Sequence, residues 1–312
     1  MRKVLFIFCS ILLTLISLLS VIFLPIKSEA KENKKDVIEI WHIDGMEGGI
    51  GSRINVIQKC ASAYMKSTKC VIRVLSHTVY SAENSFQKGV YPDLISYTNG
   101  INLPYEKLLS FNYLGEKVYC ASWCAGGYLL IQRKCENSKV LIVSQQEYTV
   151  PMLAVALSGV KLPIKEVVAS DKAIYSFYAD KSCALLGTQR DLFRLENKGI
   201  EIDVEPLNGF NDLYQKISIL CEEKKYSAVK DFLNYFLTYV KSEGALKNIG
   251  MLTSTGYNGK LCNEKLAVYA RFSPEYTTQA LINREQLQKI QNLAINFDKE
   301  QESIKNALKR LK

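Results

Sequence analysis

The sequence is poor in the residues on which many hydrolytic and metal sites depend. It contains two histidines, His42 and His77, and no G-x-S-x-G motif, so nothing points to a histidine-based catalytic triad. Its nine cysteines include no C-x-x-C pair, which argues against a structural zinc site. Tryptophan is equally scarce, with Trp41 and Trp123 as the two examples. Hydrolase and zinc-site interpretations therefore receive no support from motifs.

Positive charge exceeds negative charge, but it is spread along the chain. The formal net charge is +9, from 40 lysines and arginines against 31 acidic residues. Lysines alternate with acids in stretches such as EEKKYSAVKD, which is typical of a solvated surface. No arginine cluster with interleaved aromatics indicates a nucleic-acid face, so no nucleic-acid partner is expected.

The N-terminus has the pattern of an export signal. Two basic residues precede an apolar run, Val4 to Leu24, and small residues follow in the sequence SEA. The run is long enough to cross a bilayer, so segment 1–30 is either a signal peptide cleaved near Ala30 or a retained membrane anchor. No lipoprotein signal is present, because Cys9 lies inside the apolar run. We expect the chain from Lys31 onward to fold outside the membrane.

The cysteines beyond the apolar run leave two interpretations open. In an exported chain they can pair as disulfides, and Cys60 with Cys70 is the pair best placed to meet across one helix-to-strand connection. Most of them sit in apolar segments, where free thiols behave as small hydrophobic side chains.

Alternating strand and helix patterns predict an α/β fold. The stretches VIEIWHI, CVIRVL and PDLISY are short, apolar and rich in β-branched residues, and helical patterns separate them. Buried strands joined by helices imply a parallel sheet with right-handed crossovers. A second α/β region follows from Val118, with a helix predicted from Ser144 to Gly159 and a capping box at Thr188 and Asp191.

These patterns predict two lobes. Lobe 1 is assigned to residues 37–125 together with later chain, about 220–312, and lobe 2 to residues 126–219. The chain is expected to cross between them near Ala125–Gln132 and again around Pro206–Ile219.

A glycine-rich loop, Gly45 to Gly51, follows the first predicted strand and precedes the first helix. It does not match the phosphate-loop motif, because no glycine is followed by lysine at the required spacing. It also misses the dinucleotide pattern, because Ile54 stands where the third glycine belongs. No nucleotide cofactor is therefore expected. The loop lies at the carboxyl end of a strand, where open α/β sheets bind ligands, and the helix N-terminus after it can hold an anion or a polar group.

Six stretches in fixed order carry a resemblance to a known family. They are IEIWHIDGMEGGIGSR, YPDLISYTNGI, WCAGGYLLI, LLGTQRDLFRLENKG, PLNGFNDLYQKISI and FLTYVKSEGALKNIGM. Together they resemble an extracellular solute-binding protein of bacterial ABC importers, of the carbohydrate-type cluster found in Gram-positive bacteria. The likeness runs from about Val37 to Thr255.

The resemblance implies a two-lobe periplasmic-binding-protein-like fold with a hinge and an interlobe cleft. It implies a small-molecule solute, a saccharide or similar polar compound, delivered to ABC permease subunits in the membrane without chemical change, so no enzymatic activity is expected. One departure is the missing lipidated cysteine. It favours membrane attachment through the N-terminal segment, or an alternative role as a membrane-anchored sensor or scaffold with the same fold and no transport function.

Loop position within the implied fold predicts the residues that bind the solute. Tryptophans would stack on sugar rings, and the polar side chains would bond hydroxyl groups. The predicted set is Trp41, His42, Asp44, Glu47, Tyr97, Asn99, Trp123, Gln189, Arg190, Asn208 and Asn211. Each has a structural alternative: core packing for the tryptophans, an ion pair with Asp191 or Glu196 for Arg190, and caps or turns for the amides. A metal site at His42, Asp44 and Glu47 is the less favoured interpretation of that cluster.

Overall fold

The computed structural model describes residues 37–46, 49–134, 138–242, 244–278, 281–295, 304–306 and 308. The predicted signal peptide or anchor, residues 1–30, and the predicted ligand residue Glu47 lie outside these ranges. Among the helices within them, none combines the length and the apolar composition that crossing a bilayer requires.

The first sheet has five strands in the order β2-β1-β3-β13-β6. These strands are β1 (Val37–Ile43), β2 (Val71–His77), β3 (Leu94–Tyr97), β6 (Ala121–Ala125) and β13 (Tyr214–Ile219). β1 pairs in parallel with β2 and β3, as the β-α-β pattern predicts, whereas β13 runs antiparallel to β3 and β6. All residues of β3 are buried, because both faces of the sheet are covered by helices.

The second sheet also has five strands, in the order β11-β7-β10-β8-β9. Its members are β7 (Tyr128–Arg133), β8 (Val140–Ser144), β9 (Ile164–Val168), β10 (Cys183–Thr188) and β11 (Ile202–Pro206). β8 pairs in parallel with β9 and β10, and β7 joins β10 and β11 antiparallel. Short pairs complete the strands: β4 (Phe111–Tyr113) with β5 (Glu116–Val118), and β12 (Phe210–Asn211) with β14 (Tyr276–Thr277).

Eight α-helices lie within the described ranges. They are α1 (Arg53–Ser67), α2 (Val79–Gln87), α3 (Pro151–Leu157), α4 (Ser170–Ala179), α5 (Gln189–Asn197), α6 (Tyr226–Ser242), α7 (Ala245–Ile249) and α8 (Arg284–Ile295). The helix predicted from residue 144 is shorter than expected and begins at Pro151, the first helical position. Proline disfavours helical backbone in the residue before it, so residues 145–150 form a loop instead.

Alternate side chains of β1 pack into two different hydrophobic cores. Ile38 and Ile40 pack in the large cluster with Ile57 and Cys60 of α1. Trp41 belongs to a separate cluster with Val79, Ala82 and Phe86 of α2. This division follows from the two-residue period of a strand covered on both faces.

The chain passes from the first sheet to the second between β6 and β7, and it returns between β11 and β13. Strand β13 already belongs to the first sheet at Tyr214, before the boundary predicted at residue 219. Later chain packs on both sheets, since Leu252, Leu266 and Tyr269 join the core of the second sheet while α6 covers the first. The cysteines that the structure describes form no disulfide, and Cys60 and Cys70 are not paired with each other.

Candidate functional site: the cleft between the two sheets

A cleft of about 690 Å³ opens between the two sheets. Residues 44–46 and 49–53, from the loop after β1 and the start of α1, line one side. The other side is formed by residues 146–148, which follow β8, and by residues 190–197 of α5, which follows β10. All of these segments follow the carboxyl ends of parallel strands. Side chains at these ends converge on one edge of each sheet.

The glycine loop is held against the end of α7. Ile50 N–H donates to the Ile249 carbonyl at 2.9 Å. Gly49 has a φ of +68°, and a Cβ atom at this position would lie 1.8 Å from the same carbonyl oxygen. Only glycine permits both the left-handed backbone and this approach of one chain to another. Gly45, Gly49 and Gly51 therefore shape one lip of the cleft.

Tyr148 of the second side packs against Gly45 of the first side and against Gly100, which follows β3. A Cβ atom on Gly100 would lie 2.7 Å from the Tyr148 ring, and one on Gly45 would lie 3.5 Å from it. Burial and a hydrogen bond to Glu147 raise the pKa of the Tyr148 hydroxyl to about 12. Tyr148 is therefore a neutral aromatic wall of the cleft.

Arg53, the first residue of α1, is the most buried charge on the cleft. It is 4% exposed, pairs with the half-exposed Asp44, and donates to the Met46 carbonyl through Nη2. Its Nε and Nη1 are buried and have no hydrogen-bond partner. Burial, opposed by the Cys124 thiol and reinforced by the nearby positive charge of Arg190, lowers the pKa of Arg53 to about 10. At neutral pH it remains a cation with spare donors.

His42 lies behind Arg53 in a hydrogen-bond network centred on Ser96. The Ser96 hydroxyl oxygen accepts from Trp123 Nε1 at 3.1 Å and from Gln215 Nε2 at 3.0 Å. It can therefore donate its own proton to His42 Nδ1, 3.2 Å away, which places the histidine proton on Nε2. Nε2 is buried without a partner. Burial and the charge of Arg53 lower the pKa of His42 to about 3, so the ring is neutral.

Helix α5 brings two further arginines to the opposite side. Asp191 accepts from the Thr188 N–H at 2.9 Å, which satisfies the start of the helix. Arg194 donates to Ser170 Oγ at 3.1 Å and lies 3.8 Å from Asp191, so its charge is partly compensated within this side. Arg190 lines the cleft directly.

The C-terminal helix positions the loop that carries Tyr148. Gln291 of α8 donates to the carbonyls of Glu147 and Thr149 at 3.0 and 3.1 Å. Thr149 in turn caps the loop by accepting from Gln146 N–H at 3.3 Å. A loop fixed at both ends holds the cleft-lining side chains of residues 146–148 in place.

The structure brings two of the predicted ligand residues, Asp44 and Arg190, to the cleft. It places the two tryptophans in the cores instead. Trp41 stacks on His77 and donates to Glu39 at 2.7 Å, and Trp123 packs edge-on against Phe236. A tryptophan within a strand can face either of two buried layers, and here both indole N–H groups have internal acceptors.

The remaining predicted residues bond to the protein. Tyr97 and Asn99 are buried at the end of β3, where Tyr97 Oη lies 2.9 Å from Ser218 Oγ and Asn99 bonds Thr278 at 3.1 Å. Gln189 accepts from Gly127 N–H at 3.2 Å, Asn211 donates to the Gly126 carbonyl at 3.0 Å, and Asn208 accepts from Ser273 N–H at 2.9 Å. These five side chains brace the connections between the sheets and are not among the residues that line the cleft.

The cleft residues that sequence reasoning missed include Arg53, Gln146, Tyr148, Phe193 and Arg194. A signal existed for Arg53, which follows the glycine loop directly, and for Gln146 and Tyr148, which follow the apolar strand KVLIV. Across the described part of the chain, no three His, Cys, Asp or Glu residues group closely enough to hold a metal ion.

Comparison with known proteins shows similarity at the level of the fold. No protein-family model matches the chain, and no curated protein matches it by sequence. Iron-bound HitA from Pseudomonas aeruginosa superposes with a TM-score of 0.54 at 11% identity, over 83% of this chain and 99% of HitA. The binding protein AttC from Agrobacterium tumefaciens, in an open unliganded conformation, superposes with a TM-score of 0.55 at 11% identity, over 84% and 98% of the two chains. The chain therefore has the two-lobe periplasmic-binding-protein-like α/β fold, with a hinge and an interlobe cleft.

Proposed function

We propose that this protein is the solute receptor of an ABC importer, which binds a small polar solute in the cleft and delivers it to permease subunits in the membrane. The observation that carries the proposal is the cleft itself, which is lined from both sheets by loops at strand carboxyl ends. Its volume of about 690 Å³ lies within the range of small-molecule sites.

The similar structures support a binding role. HitA is described with bound iron and AttC as a periplasmic binding protein, and both share the fold with this chain along nearly their whole length. In such a fold the lobes close on the solute about the hinge, so that binding and release need no covalent step. We propose that the protein acts outside the membrane, attached by its N-terminal segment or released after cleavage.

The sequence adds a finer proposal, that the solute is a saccharide. Tyr148 and Phe193 are the aromatic rings that line the cleft, and polar side chains surround them. The sequence also suggests an alternative, a membrane-anchored sensor with the same cleft and no transport role. Loss of solute uptake on deletion of the gene supports the importer, whereas normal uptake with lost signalling supports the sensor.

Thermal unfolding against a panel of sugars and other small polar solutes tests the proposed binding function. A ligand at 100 times its dissociation constant is expected to stabilise the protein by about 2.7 kcal/mol. A panel in which no solute raises the melting temperature would contradict a receptor function.

A further inference from the structure

Arg53, which lines the cleft, has unsatisfied hydrogen-bond donors. Its Nε and Nη1 are buried without partners. Nε2 of His42, which lies behind Arg53 and is not among the lining residues, is also buried without a partner. Buried donors without acceptors destabilise the folded state, and more so when they are charged, so native proteins rarely retain them without a ligand or ion.

The N-terminus of α1 adds backbone N–H donors to those of Arg53. Ser52 caps this helix without a side-chain hydrogen bond, and the first turn contains no acidic residue. The helix has 15 residues, so its aligned peptide dipoles present positive charge at this end. Gly51, Ser52 and Arg53 all line the cleft, which brings this helix terminus to the solute side.

Arginines outnumber carboxylates in the described lining of the cleft. The lining contains Arg53, Arg190 and Arg194 against Asp44 and Glu147. Asp44 pairs with Arg53, and Arg190 is close enough for its charge to act on Arg53.

We propose that the solute carries an oxyanion group, a phosphate, sulfate or carboxylate, which Arg53 and Arg190 hold at the N-terminus of α1. This inference rests on the proposed receptor function and specifies the chemistry of its ligand. The guanidinium fork matches the paired oxygens of such groups, and helix N-termini bind them through backbone N–H. A sugar phosphate or sugar acid would combine this group with the saccharide predicted from the sequence.

Titration calorimetry on the full-length protein tests the inference with glucose, glucose 6-phosphate, glucuronate, inorganic phosphate and inorganic sulfate. At least one of the four anions is expected to bind more than tenfold tighter than glucose. Sugar phosphate binding without free phosphate binding identifies an acidic sugar as the solute, and the reverse identifies the inorganic ion. Binding of both kinds assigns the affinity to the shared oxyanion. Each of these outcomes supports the anion site.

Variants locate the site. Arg190→Gln, on the partly exposed start of α5, is expected to weaken anion binding about tenfold or more, since a charged hydrogen bond is lost. Arg53→Lys keeps the charge but removes the fork, and it is expected to weaken binding several-fold. Arg73→Gln is the matched control, because Arg73 is an exposed arginine paired with Glu39 on β1 and away from the cleft lining. The melting temperature of each unliganded variant reports whether it folds.

The two proposals fail differently. If glucose or another neutral sugar binds and the anions do not, the receptor function stands and the anion inference is overturned. Unchanged anion affinity in folded Arg190→Gln also overturns it. If no neutral or anionic solute binds, both proposals fall.

Discussion

Arg53 and Lys216 are both buried cations, and they differ in how their surroundings satisfy them. Lys216 on β13 is fully buried and donates to Asn99 Oδ1 at 2.7 Å, close to the buried Asp212 carboxylate, whose charge favours the ammonium. Burial nevertheless lowers the pKa of Lys216 to about 8. Arg53 on α1 has one half-exposed carboxylate and two unpartnered nitrogens.

The difference distinguishes a buried cation that stabilises the fold from one that is available to a ligand. Lys216 has partners within the protein. The nearby Asp212 links the two sheets, since it accepts from Tyr128 of β7 at 2.7 Å and from Val150 N–H at 2.8 Å. Around Arg53, which lines the cleft, the protein leaves two buried nitrogens without a hydrogen-bond partner. A buried cation whose hydrogen bonds are made within the protein stabilises the connection between the sheets, whereas one with unpartnered donors is available to a ligand.

The largest expected effect comes from removing Asp212. Asp212→Ala leaves the Tyr128 hydroxyl and the Val150 N–H without their acceptor and the buried Lys216 ammonium without the nearby carboxylate charge. We expect a loss of about 3–5 kcal/mol in the free energy of unfolding, measured by urea titration. The control is Asp203→Ala on the exposed face of β11, with an expected change within about 0.5 kcal/mol. Similar stabilities for the two variants would contradict a structural role for the Asp212 cluster.

The second prediction concerns the glycine loop that places Arg53. Gly49→Ala and Gly89→Ala both put a side chain at positive φ, +68° and +75°. A Cβ atom at Gly89 meets nothing within 4 Å, whereas one at Gly49 collides with the Ile249 carbonyl. We expect Gly49→Ala to cost about 1–3 kcal/mol more than Gly89→Ala, because only the first must displace backbone. Thermal and urea unfolding give this difference, and equal costs would show that the loop does not depend on its contact with α7.

The third prediction uses pH to distinguish the contributions of His42 and Asp212 to the stability of the fold. The pKa of His42 is about 3 when folded against about 6.5 when unfolded, so between these values the unfolded state binds more protons. His42 therefore lowers stability as pH falls, by at most about 1.4 kcal/mol per pH unit. Burial raises the pKa of Asp212 to about 6, above its unfolded value, so Asp212 acts in the opposite direction between about pH 4 and 6.

Urea titrations from pH 4 to 7 on the wild type and His42→Gln isolate the histidine contribution. We expect the stability of the wild type relative to the variant to decrease as pH falls below 6.5. His77→Gln is the control, because His77 is only partly buried and the charge of Glu39 opposes the lowering of its pKa by burial. Parallel curves for wild type and His42→Gln would show that His42 accepts a proton in the folded state.

These clusters also show what the sequence could supply. Asp44 and Arg190 each stand just after a strand end, and chain order alone directs such residues to one edge of a sheet. Trp41 lies inside β1, where both faces are buried, so no polarity pattern revealed which layer it would enter. The sequence predicts a helix from Ser144 to Gly159, whereas α3 begins at Pro151, because proline disfavours helical backbone at Val150 before it.

Arg53 illustrates the part that sequence reasoning cannot reach. Its position at the start of a helix was predictable from the glycine loop before it. Whether its nitrogens would find internal acceptors depends on which groups the tertiary fold brings near α1, and these come from distant parts of the chain. The predicted sugar-binding role of Asp44 meets the same difficulty, since its ion pair with Arg53 was not foreseen.

The smallest expected effect, the change in ligand affinity on Asp44→Asn, distinguishes two roles for Asp44. If Asp44 accepts a hydrogen bond from a sugar hydroxyl, Asp44→Asn weakens binding. If the cleft binds an oxyanion, the same change removes an opposing charge and frees Arg53, and we expect about two- to fivefold tighter binding of the anion. This corresponds to the roughly 0.5–1 kcal/mol of a solvent-screened ion pair, since the Asp44 side chain is 51% exposed. Calorimetry at low salt resolves a change of this size, and added salt should reduce it because screening weakens the interaction between exposed charges.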